Sequence, residues 1–109
     1  MNRQLPKPNT QSVGAKHSQQ ILLRAHGVDV HLRVSPHSRH ITGQLMRRPD
    51  GDFISGARVE LLRSGQPVDS TRTDALGNFQ FKQVPEGPLR LFADIPSDRP
   101  LIADFSVQR

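Results

Sequence analysis

Residues 73–87 read TDALGNFQFKQVPEG, and this stretch decides the fold. Asp74 and Gly77 stand at the first and fourth positions of a four-residue turn, where a type I turn prefers a side-chain acceptor and a flexible residue. Phe79 and Phe81 follow two apart, so on an extended chain they share a face. Pro85 then sits at the second position of a turn over residues 84–87 and Gly87 at its end. Turn, aromatic pair, turn: the segment has the grammar of a short strand between two reversals, and its acid and glycines serve backbone geometry.

The same period of two extends in both directions. In VDVHLRV, residues 28–34, Val28, Val30, Leu32 and Val34 fall on one face and Asp29, His31 and Arg33 on the other. HITGQLMR aligns Ile41, Gly43 and Leu45 and ends at RPDGD, a strong turn signal. GARVELLR aligns Ala57, Val59 and Leu61 and reaches Ser64-Gly65, read as a hairpin turn into PVDSTRT. There Val68 is the main apolar residue, which predicts an edge strand. Downstream, PLRLFADI aligns Leu89, Leu91, Ala93 and Ile95, and LIADFSV aligns Leu101, Ala103, Phe105 and Val107. No segment sustains a helical period. Seven short strands separated by turn signals predict an all-β antiparallel sandwich or barrel over residues 20–109.

Residues 1–19 are polar, aperiodic and carry Pro6 and Pro8, and are expected to form a flexible basic arm. The net charge of +5 is concentrated early: the first 40 residues hold six basic residues against Asp29 alone, and the rest of the chain is balanced. Without aromatic residues interleaved among those charges, nucleic-acid binding is not expected. There is no cysteine, which excludes a disulfide framework and a thiolate zinc site. No apolar run has the length of a signal-peptide core or a membrane span, so a cytoplasmic, membrane-free protein is expected.

The segments ITGQL (41–45), GARVEL (56–61), TDALGNFQF (73–81) and VPEGPLRL (84–91) together resemble the carboxypeptidase regulatory-like domain, in order and in spacing. The resemblance runs from Ile41 to Val107 and implies an antiparallel, seven-stranded, Greek-key-like sandwich of the prealbumin (transthyretin) kind. It also implies that Asp74, Gly77, Phe79, Phe81, Pro85 and Gly87 are turn and core residues. One position departs from the family pattern, with Leu89 where the family usually has tyrosine. The preceding ILLRAHGVDVHLRVSP is similar to short bacterial proteins that carry this domain alone, often encoded near sigma-factor or other regulatory genes. That similarity implies an accessory role in bacterial signalling, with a protein partner whose identity it leaves open and for which a regulator encoded nearby is the candidate.

The chemistry-bearing residues form no recognisable catalytic, cofactor or metal constellation, and the chain is read as a non-enzyme. Metallocarboxypeptidase activity belongs to a separate domain with zinc-binding His and Glu residues, a motif not found here. The related transthyretin-like hydrolases use a His and Arg set and a C-terminal tetrapeptide, whereas this chain ends DFSVQR. His26, His31, His37 and His40 lack the convergence and thiolates of a zinc site. The acids of Asp50-Gly51-Asp52 lack calcium-loop spacing and read as a turn. Lys7, Lys16 and Lys82 are badly placed for the isopeptide cross-link of some related domains. What remains is a surface: Arg58, Glu60, Arg90, Phe92 and Asp94 on outward positions, with Arg3, Lys7 and Lys16 of the arm, as a candidate face for a protein partner. The alternative is a small-ligand or carbohydrate-binding module, for which Phe92 and Phe53 are the candidate aromatic contacts.

Overall fold

A computed structural model describes residues 18–25, 27–35 and 39–108. Among them are nine strands in two antiparallel sheets. The first sheet runs β1 (Gln19–Ala25), β2 (Val28–Val34), β3 (Ile41–Arg47). The free side of β3 is shared by β4 (Asp52–Phe53), which pairs with Met46 and Arg47, and β7 (Asn78–Phe81), which pairs with residues 41–44. The second sheet has the order β6 (Gln66–Arg72), β5 (Arg58–Arg63), β8 (Gly87–Asp94), β9 (Leu101–Val107). The chain therefore changes sheet after β4, after β6 and after β7. The carboxypeptidase regulatory-like reading expected this kind of sandwich, but with seven strands.

The two additional strands have physical reasons for being overlooked. In β1 the consecutive Ile21, Leu22 and Leu23 hide the alternation, although the strand pairs with β2 over its full length, from Gln19 opposite Val34 to Ala25 opposite Val28. β4 is two residues that fold back onto β3 inside what reads as a loop. β1 also begins at Gln19, one residue inside the expected arm. Residues 1–17 lie outside the described residues, and the candidates Arg3, Lys7 and Lys16 lie with them.

The core fills the space between the sheets. Val28, Val30, Leu32, Val34, Ile41 and Leu45 from the first sheet meet Ala57, Val59, Leu61, Leu89, Leu91 and Ala93 from the second, all buried. Phe79 and Phe81 are both in it, with rings edge-on at 5.8 Å, an arrangement aromatic pairs favour. Leu89, at the position of the family's tyrosine, is an ordinary core residue. The last strand is less enclosed than its pattern suggests: Leu101 and Val107 are buried, but Ala103 and Phe105 only partly. β9 is an edge strand, and only its neighbour β8 covers it from within the sheet.

Candidate functional site

The stretch at 73–81 is built as a bracket. Thr73 is buried, its hydroxyl accepting the Ala57 N–H at 2.9 Å, while its own N–H donates to Ala57 O at 2.9 Å. Asp74 turns the chain: its Oδ1 accepts from the N–H groups of Leu76 and Asn78, both at 2.9 Å, and Gly77 N–H donates to Asp74 O at 3.0 Å. Gly77 has φ +75°, and a Cβ there would stand 2.5 Å from Leu45 O, so a side chain is excluded twice over. Opposite Phe79, a Cβ on Gly43 would overlap the phenyl ring. Every polar atom of the bracket that these bonds use is turned to the backbone. The segment holds two strands and a loop together.

The five described candidates for an interaction surface do come together, on the outer face of the second sheet. Register places Arg58 beside Asp94, Glu60 beside Phe92, and Arg90 beside Asp104 of β9. The Arg58 guanidinium lies 5.9 Å from the Phe92 ring centroid and 3.7 Å from Glu60. Arg90 grips Asp104 with two N–H groups, at 2.8 and 3.2 Å. This bond holds the Asp104 carboxyl below the usual carboxylate range and Arg90 above its ordinary value. Next to Phe92 stands Ile102, 54% exposed. Asp104 and Ile102 were not among the sequence candidates. The signal that finds them is the hairpin register of β8 and β9, in which Arg90 faces Asp104 and Phe92 faces Ile102.

The outer face of the first sheet carries a second charge cluster. The Asp29 carboxylate lies 2.9 Å from Arg48 Nε and 3.5 Å from Arg24 Nε. At the adjacent corner Arg47 contacts Asp98 at 3.2 Å, and Asp98 is held below the usual carboxylate range, first by the Arg99 N–H and then by Arg47. Phe53, 48% exposed, is on this sheet, so Phe92 and Phe53 belong to opposite faces and form no shared platform.

A groove of about 710 Å³ opens at the end of the sandwich where Arg39, Arg63, Glu86 and Gln108 line it. Arg39 lies 4.0 Å from Glu86. Among the described residues no histidine or aromatic side chain lines this groove, and Ser106 supplies the one hydroxyl. His31 is exposed on β2 and His40 meets Gln80 at 3.0 Å, while His26 and His37 lie outside the described residues. Among the described residues no three metal-ligating groups converge. Residues 48–51 form a turn, with Gly51 N–H on Arg47 O at 2.7 Å, and Asp52 opens β4. No helix among the described residues is long and apolar enough to cross a membrane.

Comparison with curated proteins finds no match. The model of one family, the carboxypeptidase regulatory-like domain, matches residues 40–107. That span begins one residue before β3 and ends at the last residue of β9, so it includes the bracket and the whole second sheet. Domains of this family are non-catalytic. β1 and β2 precede the matched region and extend the first sheet beyond it. On the bracket, the sandwich and this match, the chain belongs to the carboxypeptidase regulatory-like domain family.

Proposed function

We propose that the chain is a non-catalytic module that holds a protein partner, as an accessory component of a bacterial regulatory or signalling system, and that it works in the cytoplasm. The observation that carries this reading is the outer face of the second sheet, where Phe92 and the exposed Ile102 stand side by side among Arg58, Glu60, Arg90 and Asp104. An apolar pair rimmed by charges is the makeup of a modest protein-binding patch. The charged groups are already paired with one another, so docking need not strand an uncompensated charge. The bacterial and regulatory setting rests on the similarity of residues 21–36 to short stand-alone bacterial versions of the domain.

The test is affinity capture of the full chain's partners from nuclease-treated lysate of its own cells, run beside the double variant Phe92→Ala, Ile102→Ser. Nuclease removes proteins retained only through nucleic acid on the basic arm. The expected result is one protein retained in stoichiometric amount by the parent and lost by the variant. Retention of no protein contradicts the reading.

A further inference from the structure

The two outer edges of the second sheet are unlike. Along β6 the chain carries Pro67, which has no N–H, and a register shift opposite Leu61 and Leu62, and the Ser70 N–H is occupied by the Asp69 carboxylate at 2.8 Å. Proline, a bulge and a charge on an edge are the devices that block pairing with another strand. β9 has neither proline nor bulge, and its one charged residue, Asp104, is engaged by Arg90 of the neighbouring strand at 2.8 Å. Its register with β8 is uninterrupted from Leu101 to Val107, and it contains no proline.

The Gln19 side chain reveals which backbone groups of β9 face outward. Its Nε2 donates to Ser106 O at 2.8 Å and its Oε1 accepts from Gln108 N–H at 3.0 Å. One carboxamide thus makes the two bonds that the N–H and C=O of a single residue on an added parallel strand would make. Backbone groups of a strand alternate sides, so Ile102 and Asp104 point theirs the same way, and among the described residues sheet order leaves that side of β9 without a neighbouring strand. Beside the edge, β1 and β9 lie against each other but belong to different sheets. Their inward residues Ile21, Leu23, Ala25, Ala103 and Phe105 are only partly buried, leaving a half-covered apolar stripe along the seam.

From these two independent features we infer that the edge of β9 is a docking site for an extended segment of a partner protein with alternating apolar residues. The segment pairs with Ile102, Asp104 and Ser106 through its backbone, displaces the Gln19 carboxamide, and lays its apolar side chains on the stripe. Two other occupants fit less well. Residues 1–17 contain Pro6 and Pro8 and only scattered apolar positions. A second copy pairing β9 to β9 brings the two Asp104 carboxylates opposite or diagonal to each other, which like charges disfavour. The inference rests on the protein-holding reading above and gives its partner a conformation.

The test uses the full chain and a short synthetic peptide alternating valine and threonine with glutamate at both ends. The control peptide has its central residues replaced by proline. Amide hydrogen exchange is read residue by residue. Saturating peptide is expected to slow exchange at Ile102, Asp104 and Ser106 by about tenfold or more, with no slowing along β6, and the proline peptide is expected to do neither. Gln19→Ala, which frees the edge without altering the β1 backbone, is expected to tighten binding about fivefold. Absence of binding, equal binding of the proline peptide, or unchanged affinity in Gln19→Ala overturns the inference. Capture from lysate that persists while the peptide fails overturns the edge and leaves the protein-holding reading intact. Slowed exchange without any captured protein supports the edge and removes the protein-holding reading.

Discussion

At the scale of single residues, the bracket makes the strongest statements. The Thr73 hydroxyl is the acceptor for the Ala57 N–H in a buried setting, so Thr73→Val keeps the shape and orphans a backbone donor. A loss of about 1–3 kcal/mol in urea unfolding is expected. Gly77→Ala meets both a left-handed backbone and the Leu45 carbonyl, and at least about 1–3 kcal/mol should be lost. Phe81→Ala removes a fully buried ring and should cost about 3–5 kcal/mol by the same measurement. Asp74, Gly77, Phe79 and Phe81 were legible from sequence because local geometry sets them: an acid four residues before Asn78, a glycine at the turn's end, two phenylalanines on one face; the Thr73 bond was not, because its partner Ala57 lies 16 positions away. The role of Gly43 was not, because the ring that excludes a side chain there arrives from a strand 36 positions later and is visible only once β3 and β7 are paired.

At the scale of elements, alternation located seven strands and missed the two whose alternation is masked or too brief. The hairpin at Ser64-Gly65 is as expected, with φ +51° and +78° at its two residues, the signs a type I′ turn requires. β6 is the edge strand that its single apolar Val68 suggested, and Val68 is 40% exposed. The five outward candidates were gathered onto one face because β5 and β8 are neighbours, which alternation alone cannot reveal. Their partners on β9 follow only from register. β1 is the element whose removal should be most informative. It pairs with β2 along its whole length and sets Ile21, Leu23 and Ala25 against the core. Removing residues 1–17 is expected to leave the thermal midpoint nearly unchanged, whereas removing residues 1–25 should lower it by many degrees or abolish cooperative unfolding. A large drop on the shorter removal would show that the arm packs on the sandwich.

At the scale of the whole molecule, several charges pair across neighbouring strands and corners, and Thr73 is the one buried polar residue among those described. Asp98 and Asp104 favour their ionised forms when folded, because Arg99, Arg47 and Arg90 bond to them. Their contribution to stability is present above about pH 4, the unfolded carboxylate value, and is lost as pH falls through their lowered folded values. The thermal midpoint should therefore decline below about pH 4, and Asp104→Asn should flatten part of that decline. Both groups are exposed, so the amplitude is small and shrinks with added salt.

The account separates scaffold from surface, and one comparison tests that separation most directly. Asp74→Ala and the double variant Phe92→Ala, Ile102→Ser are each measured for urea unfolding and for partner capture under conditions where both are folded. The prediction is a crossing: Asp74→Ala loses about 1–2 kcal/mol of stability with the partner retained, and the surface variant keeps its stability and loses the partner. A fully folded Asp74→Ala protein that no longer holds the partner would make the TDALGNFQF stretch a site and contradict the account.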